Sequence, residues 1–128
     1  MFQRFLFSWW IGNGDLHLKN LALLADRGPY RLSPAYDLLS TALVIPNDTL
    51  ALPIGGKRQG LTARTWRAFG KYAGLRAPSI SRSTRALVQS WSACEQLIAN
   101  CFLPDDLKDT LSGLMESRLD VLKELATK

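Results

Sequence analysis

The residues best suited to chemistry lie in one short polar loop that follows an apolar segment. Asp15 and Asn20 are spaced as Asp-x-x-x-x-Asn within the stretch GNGDLHLKN at positions 12–20. This pattern suits phosphoryl transfer, because one carboxylate can accept the proton of an attacking hydroxyl while a neutral amide oxygen holds magnesium near the phosphates. The alternative is an ordinary turn in which Asp15 caps backbone groups. The flanking glycines and the preceding apolar helix favour the phosphoryl-transfer interpretation.

A second carboxylate and two supporting side chains complete the candidate site. Asp37 follows a predicted hairpin that folds the chain back, so Asp15, Asn20 and Asp37 are expected to surround one or two magnesium ions bridging the phosphates of ATP. His17 is the only histidine and is expected to fix the loop through a hydrogen bond, with a direct chemical role as the alternative. Lys19 is either a phosphate contact or a solvated loop lysine.

The elements that must position this loop are short near the site. Apolar residues at helical spacing in positions 2–10 predict the last turns of a helix, which Gly12-Asn13-Gly14 ends. Segments 21–25 and 30–33 predict a β-hairpin around the turn 26–29, and segment 50–54 is a third candidate strand. The glycine-rich stretch 55–60 lacks the order of a phosphate-binding loop and predicts a turn.

The remainder of the chain predicts three helices with apolar stripes that face a core. Thr62 caps the first, which Gly74 ends. The second runs from about 83 to 101, and the third from Asp105 to about 126. The stripes, led by Trp66, Trp91 and Leu111, predict that these helices pack into one bundle on the side away from the polar loop.

Composition narrows the class of protein. The chain has 128 residues and a net charge of +5, without a basic run that would serve as a nucleic-acid arm, so we expect no direct nucleic-acid contact. No apolar run reaches the roughly 20 residues of a membrane span. Cys94 and Cys101 lie about 10.5 Å apart on a helix, too far for a disulfide, which indicates buried thiols in a reduced, cytoplasmic protein.

Two stretches together carry a family resemblance. The loop at 12–20 and the segment LSPAYDLLST at 32–41 resemble the HipA-like kinases, which are serine/threonine kinase toxins of bacterial toxin–antitoxin modules. The resemblance implies a mainly α fold with a small β-hairpin, the C-terminal lobe of an atypical protein-kinase-like fold, as a single domain over residues 1–128. It implies Asp15 as catalytic base, Asn20 and Asp37 as magnesium ligands, and ATP as phosphate donor. It also implies a protein substrate in translation and a DNA-binding antitoxin as partner.

The chain departs from ordinary protein kinases around the same residues. Asn13-Gly14 stands where His-Arg precedes the catalytic aspartate, and Tyr36-Asp37-Leu38 stands where Asp-Phe-Gly is expected. The Asp-Leu-His sequence also resembles small-molecule kinases such as the aminoglycoside phosphotransferases. The Ser-Pro-x-Tyr-Asp-Leu segment favours the HipA-like family.

The region before the loop is short. Only 14 residues precede Asp15, too few for a glycine-rich loop and the strand lysine that grip the nucleotide. We therefore expect the N-terminal nucleotide-binding lobe to be absent, because the chain is a fragment, one half of a split enzyme completed by a separate chain, or a domain retained for binding alone. We expect the isolated chain to be inactive. The apolar start with Trp9 and Trp10 is expected to be covered by that lobe, and to favour self-association when exposed. The alternative is a non-enzymatic helical interaction module that binds an antitoxin or nucleic acid.

Overall fold

Five α-helices and one two-stranded hairpin form the part of the chain that the computed structural model describes, residues 1–25 and 28–127. The elements are α1 (Phe2–Trp10), β1 (Leu23–Leu24), β2 (Arg31–Leu32), α2 (Ala63–Tyr72), α3 (Ala77–Gln89), α4 (Trp91–Asn100) and α5 (Asp105–Ala126). Two 3-10 turns, Leu18–Asn20 and Thr41–Leu43, lie beside the polar loop. The predicted mainly α fold with a small hairpin is confirmed.

Helix α1 ends where the sequence predicts, just before Gly12. The backbone conformation of Gly12 would strain any residue that has a side chain. Gly12 has φ +76°, in the left-handed region. A methyl group at this position would lie 2.5 Å from Cδ2 of Leu114 on α5. Gly12 therefore allows α1 to stop and lets the polar loop start close against α5.

The apolar face of α1 is covered by other helices of the same chain. Trp9 and Trp10 are buried, and the ring centroids of Trp9 and Trp66 are 5.6 Å apart. The Trp10 Nε1–H donates a hydrogen bond of 3.0 Å to the carbonyl of Met115 on α5. The expectation that another lobe must cover these tryptophans is wrong, because α2 and α5 already bury them. Since this apolar face is covered within the chain, it gives no reason to expect self-association.

The hairpin is shorter than predicted but lies at the predicted place. Leu23 pairs with Leu32 and Leu24 with Arg31 in antiparallel register. A further backbone bond of 2.8 Å joins the Ser33 N–H to the Ala22 carbonyl. Turn positions 26 and 27 lie outside the described residues. The hairpin brings the segment after β2 back toward the polar loop, as the sequence predicts.

The predicted strand at 50–54 is wrong. Only Ile54 forms a β-bridge, with Lys57, across a two-residue turn in which Gly55 and Gly56 both have positive φ. The Arg58 guanidinium donates to the Leu50 carbonyl at 2.6 Å, and the Ala51 N–H donates to Gly14. Backbone groups that a strand would pair are thus taken by a side chain and by the polar loop. The glycine-rich turn itself is confirmed.

The second predicted helix is two helices, and it starts earlier than expected. Pro78 lies in the first turn of α3, where its missing N–H costs nothing, and this moves the start to Ala77. Ser90 then separates α3 from α4, and its hydroxyl donates to the Leu87 carbonyl at 2.8 Å. Cys101 lies just beyond α4. Both cysteines are free, as expected, but half-buried rather than buried.

The other two predicted helices are confirmed. The Thr62 hydroxyl caps α2 by accepting from the Thr65 N–H, and Gly74 follows its end with φ +78°. Helix α5 spans Asp105–Ala126 and contacts α1, α2, α3 and α4. Trp91 and Leu111 are half-buried against the core, which confirms that these helices pack together. The predicted placement of the whole bundle away from the polar loop is wrong, because α5 packs against Gly12 and the Thr41–Leu43 turn. None of the helices in residues 1–25 and 28–127 is both long and apolar enough to cross a membrane.

Candidate catalytic site

The loop that carries Asp15 is held from inside by a buried asparagine. Asn13 is fully buried, and its backbone N–H donates to the Ser8 carbonyl at 2.8 Å. Its side-chain Oδ1 accepts a hydrogen bond of 2.9 Å from the Asp15 N–H. The Asp15 side chain is 60% exposed. The backbone of Asp15 is therefore fixed while its carboxylate faces solvent, where a substrate hydroxyl can reach it.

Asn20 and Asp37, which are 17 residues apart in the chain, meet in the structure. The Asn20 Nδ2–H donates a hydrogen bond of 2.9 Å to Asp37 Oδ2. Asn20 is buried, and its Oδ1 accepts from the His17 N–H at 3.0 Å. Asp37 has φ +55°, an uncommon conformation for a residue other than glycine, and such backbone strain clusters at functional sites.

His17 connects Asp15 to this pair. Its Nε2 lies 3.8 Å from Asp15 Oδ1, while its backbone N–H holds Asn20. The contact that holds Asn20 comes from the backbone of His17, which any residue type would provide, so the predicted hydrogen bond from the imidazole stays a prediction. Lys19 is exposed, and its carbonyl accepts a 2.7 Å hydrogen bond from the Tyr36 hydroxyl. A phosphate contact by the Lys19 ammonium group stays a prediction.

Hydrogen bonds near both ends of the loop at 12–20 join it to the region around the second motif segment. Five hydrogen bonds connect positions 12–20 with positions 36–42: Ala42 N–H to Gly12 O, Thr41 Oγ1 to Gly12 O, Gly14 N–H to Thr41 Oγ1, the Tyr36 hydroxyl to Lys19 O, and Asn20 Nδ2–H to Asp37 Oδ2. The loop that bears Asp15 and the segment that bears Asp37 therefore form one unit. The structure thus brings Asn20 and Asp37 together, while an opening that these two residues share with Asp15 stays a prediction.

The residue types of this unit suit a magnesium ion, but a cation between Asn20 and Asp37 requires the Asn20 amide to turn, because its Nδ2 faces Asp37 and its Oδ1 accepts from the His17 N–H. A carboxylate and an amide oxygen are hard oxygen ligands of the kind that Mg²⁺ takes, and Mg²⁺ commonly uses one or two protein oxygens together with substrate phosphates. Asp37 is exposed, and only its Oδ2 accepts from Asn20, so Oδ1 remains able to bind. Residues 1–25 and 28–127 contain no group of three or more His, Cys, Asp or Glu side chains that could hold a metal. A metal here would therefore depend on oxygens from elsewhere, such as phosphates.

Three residues around the loop have no counterpart in the sequence-based prediction of the site. The position of Thr41 in the second motif segment is the only feature of the sequence that points to it. Asp48 and Arg118 belong to no motif. Asp48 and Arg118 line a cavity of about 240 Å³ together with Gly14. Burial lowers the pKa of Arg118, and the charge of Asp48 opposes this shift. The Arg118 guanidinium also donates to the Trp9 carbonyl and lies 5.2 Å from the Trp9 ring centroid.

A mainly α fold with a small hairpin and two joined motif segments defines the class of this domain. The model of the HipA-like C-terminal domain matches residues 1–97, which is more than half of the chain. The chain therefore belongs to the HipA-like C-terminal domain family. The family resemblance predicted from the two motif segments is confirmed.

Curated relatives carry kinase names. The Sinorhizobium fredii protein named "Putative kinase Y4dM" is 58% identical over 52 residues, covering 39% of this chain and 13% of that protein. "Putative kinase Y4mE" of the same organism is 38% identical over 89 residues, covering 66% of this chain and 21% of that protein. A "Putative kinase" of Haemophilus influenzae is 24% identical, covering 98% of this chain and 42% of that protein. The chain thus spans less than half the length of each of these relatives.

A solved structure shows the same fold. The match is to a complex described as the Shewanella oneidensis MR-1 toxin–antitoxin system HipA, HipB and its operator DNA. It has a TM-score of 0.71 and 23% identity, and covers 99% of this chain and 33% of the matched chain. At this identity the likeness establishes the fold, and the partners in that complex belong to that protein.

Proposed function

We propose that this chain is the C-terminal catalytic lobe of a HipA-like ATP-dependent serine/threonine protein kinase, the toxin of a toxin–antitoxin module. The observation that carries the proposal is the joining of the two motif segments, above all the 2.9 Å hydrogen bond between Asn20 and Asp37. Membership in the HipA-like family supports it independently. The proposed unit is one domain over residues 1–128.

Asp15 is the proposed catalytic base. It accepts the proton of the substrate hydroxyl as that oxygen bonds to the γ-phosphorus of ATP, and the bond from this phosphorus to the bridging oxygen breaks to release ADP. The exposed carboxylate and the hydrogen bond from Asn13 to the Asp15 backbone suit this role, because a base must be both reachable and fixed.

Asn20 and Asp37 are the proposed ligands of Mg²⁺, which when bound would neutralise the charge of the ATP phosphates. Asn20 contributes a neutral oxygen and Asp37 a charged one, so the pair adds little negative charge beside the phosphates. His17 holds Asn20 in place through its backbone N–H. Lys19 is the proposed contact to a phosphate oxygen, since it is exposed on the same loop.

The proposal extends to partners and setting. A protein substrate and an antitoxin partner follow from family membership, and the related HipA was solved together with HipB and operator DNA. A reduced cytoplasmic setting agrees with two free cysteines. We propose that transfer also needs residues of a nucleotide-binding lobe. Two protein ligands hold the magnesium ion but make no direct contact that would align the ATP phosphates for transfer.

Phosphate transfer from radiolabelled ATP tests this function. The chain is assayed alone and after mixing with the separately expressed part of Y4mE that this chain does not match, using a protein substrate and Mg²⁺. We expect transfer only on mixing, and expect Asn20→Ala and Asp37→Ala to raise the Mg²⁺ concentration needed. Robust transfer by the isolated chain would contradict the need for a second lobe.

The absence of transfer in every mixture would contradict the kinase proposal itself, provided that calorimetry first shows the two parts to bind each other. It would favour the alternative, a non-enzymatic helical module that binds an antitoxin or nucleic acid. An exposed carboxylate outside the site offers a matched control, since Asp106→Asn in the first turn of α5 should leave transfer and its Mg²⁺ dependence unchanged.

A further inference from the structure

Gly14, the residue immediately before Asp15, is held at both of its backbone polar groups. The Gly14 N–H donates a hydrogen bond of 2.7 Å to Oγ1 of Thr41. The Gly14 carbonyl accepts one of 2.8 Å from the Ala51 N–H. A rotation of the Gly14 backbone would therefore break one of these two hydrogen bonds. Because Asp15 follows Gly14 directly in the chain, the two bonds also hold the start of Asp15 in place.

The Thr41 hydroxyl donates its hydrogen bond to Asp48, and this orients its lone pairs to accept from the Gly14 N–H. Asp48 Oδ2 lies 2.5 Å from Thr41 Oγ1, whereas the other available acceptor, the Gly12 carbonyl, lies at 3.3 Å. A hydrogen bond to a charged carboxylate is shorter and stronger than one to a neutral carbonyl. Thr41 is 6% exposed, so water competes little for the hydroxyl. Asp48 thus orients the Thr41 lone pairs toward the Gly14 N–H.

The space around Gly14 fits this arrangement. A side chain at position 14 would collide with the carboxylate of Asp48, so the glycine allows Asp48 to approach the loop. Arg118 lines the same cavity, so a positively charged side chain of α5 lies near the Asp48 carboxylate. The chain Asp48–Thr41–Gly14 therefore connects the loop at 48–51 and the second motif segment to the base-bearing loop.

We infer that Thr41 and Asp48 are positioning residues that set the distance between Asp15 and Asp37, an inference that rests on the proposed function. Asn20 joins the two motif segments at one end through Asp37, and Thr41 joins them at the other through Gly14. Two links at opposite ends fix the relative position of the segments. Catalysis that depends on alignment is sensitive to such links, because a displacement of about 1 Å can cost about 10²-fold in rate.

Amide hydrogen exchange of Gly14, measured by NMR on this chain, tests the link without any need for activity. Thr41→Val removes the hydroxyl and should speed Gly14 exchange by about three- to tenfold, the range for one lost hydrogen bond. Thr41→Ser keeps the hydroxyl and should restore slow exchange. Thr49→Val is the control, since exposed Thr49 lines the same cavity but makes no hydrogen bond to Gly14 within the described residues.

A Gly14 exchange rate that stays unchanged in folded Thr41→Val would overturn the inference. If Thr41→Val does not fold, Asp48→Ala decides, because it removes the acceptor that orients the hydroxyl. Faster Gly14 exchange in that variant supports the inference, and unchanged exchange contradicts it.

Transfer kinetics in the mixture with the complementary part of Y4mE separate this inference from the proposed function. Thr41→Val should lower kcat by about tenfold or more with little change in KM for Mg-ATP, and Thr41→Ser should recover kcat. Faster Gly14 exchange with an unchanged kcat would refute a positioning role while leaving the kinase proposal intact. Complete lack of transfer by a wild-type mixture whose two parts bind each other would refute the kinase proposal, and the exchange data would still decide whether Thr41 holds the loop.

Discussion

Replacing Asn20 with aspartate would test the proposed magnesium site on the isolated chain. In the native protein the Asn20 amide donates to Asp37 Oδ2 at 2.9 Å. Asn20→Asp keeps the shape of the side chain and an oxygen that can accept from His17. It replaces the donor with a second carboxylate oxygen that faces Asp37. Without a cation between them, the two carboxylates repel each other.

The size of this effect follows from the distance. Two unit charges 2.9 Å apart repel by about 1.4 kcal/mol in a water-like medium and about 6 kcal/mol at an effective dielectric constant of 20. Asp37 is exposed and the two groups can move apart, so the lower end applies. Adding the lost hydrogen bond, we expect Asn20→Asp to reduce the free energy of unfolding by about 2–3 kcal/mol in the absence of divalent cations.

Magnesium should reverse this loss. A cation between two carboxylates removes their repulsion, and binding to the folded state alone stabilises it by about 2.7 kcal/mol when the ion is present at 100 times its Kd. Urea unfolding with and without Mg²⁺, at matched ionic strength, measures the difference. We expect a larger gain from Mg²⁺ for Asn20→Asp than for the native chain.

The matched control is Asn100→Asp. The Asn100 amide also donates one hydrogen bond, to the Gln96 carbonyl at 2.8 Å, but at the exposed end of α4. This variant should lose about 0.5–1 kcal/mol and gain nothing specific from Mg²⁺. If Asn20→Asp is as stable as the native chain, or responds to Mg²⁺ no more than Asn100→Asp, the metal site is not where we place it.

Further predictions concern the elements that carry the site. Trp10→Phe removes the hydrogen bond to the Met115 carbonyl and part of a fully buried ring, and should cost about 1–3 kcal/mol in urea unfolding, clearly more than the same change at half-buried Trp91; equal losses would contradict a role for this hydrogen bond. Gly12→Ala should cost about 2–4 kcal/mol by thermal unfolding, from its left-handed φ and its crowding by α5. Gly113→Ala, on α5 with open space around it, should instead stabilise the fold by about 0.5–1 kcal/mol, and a loss there would show that the helix is not as exposed as described.

Much of the architecture could be predicted because local signals agree with it. The Thr62 cap, the amphipathic pattern of α5 and the glycine at the end of α1 each act through neighbours in sequence. The two motif segments likewise predicted that Asn20 and Asp37 would meet. The hairpin between them is the local structure that makes this possible.

The errors arose where tertiary contacts decide the outcome. Segment 50–54 has the composition of a strand, but its backbone groups bond to Arg58 and to the Gly14 loop instead of to a neighbouring strand. The burial of Trp9 by Trp66 depends on residues more than fifty positions apart, which no local pattern reveals. Asp48 could not be assigned for the same reason, since only the folded chain brings it to Thr41.

The rate of phosphate transfer by Asp15→Asn most directly tests whether the loop is a phosphotransferase site. Transfer from radiolabelled ATP is measured at saturating Mg-ATP in the mixture with the complementary part of Y4mE, with Asp106→Asn as the control. Asparagine keeps the size of Asp15 but cannot accept the proton of the hydroxyl, so we predict a fall of about 10²-fold or more in kcat. Turnover of Asp15→Asn within a few fold of the native rate would contradict the assignment of Asp15 as the base.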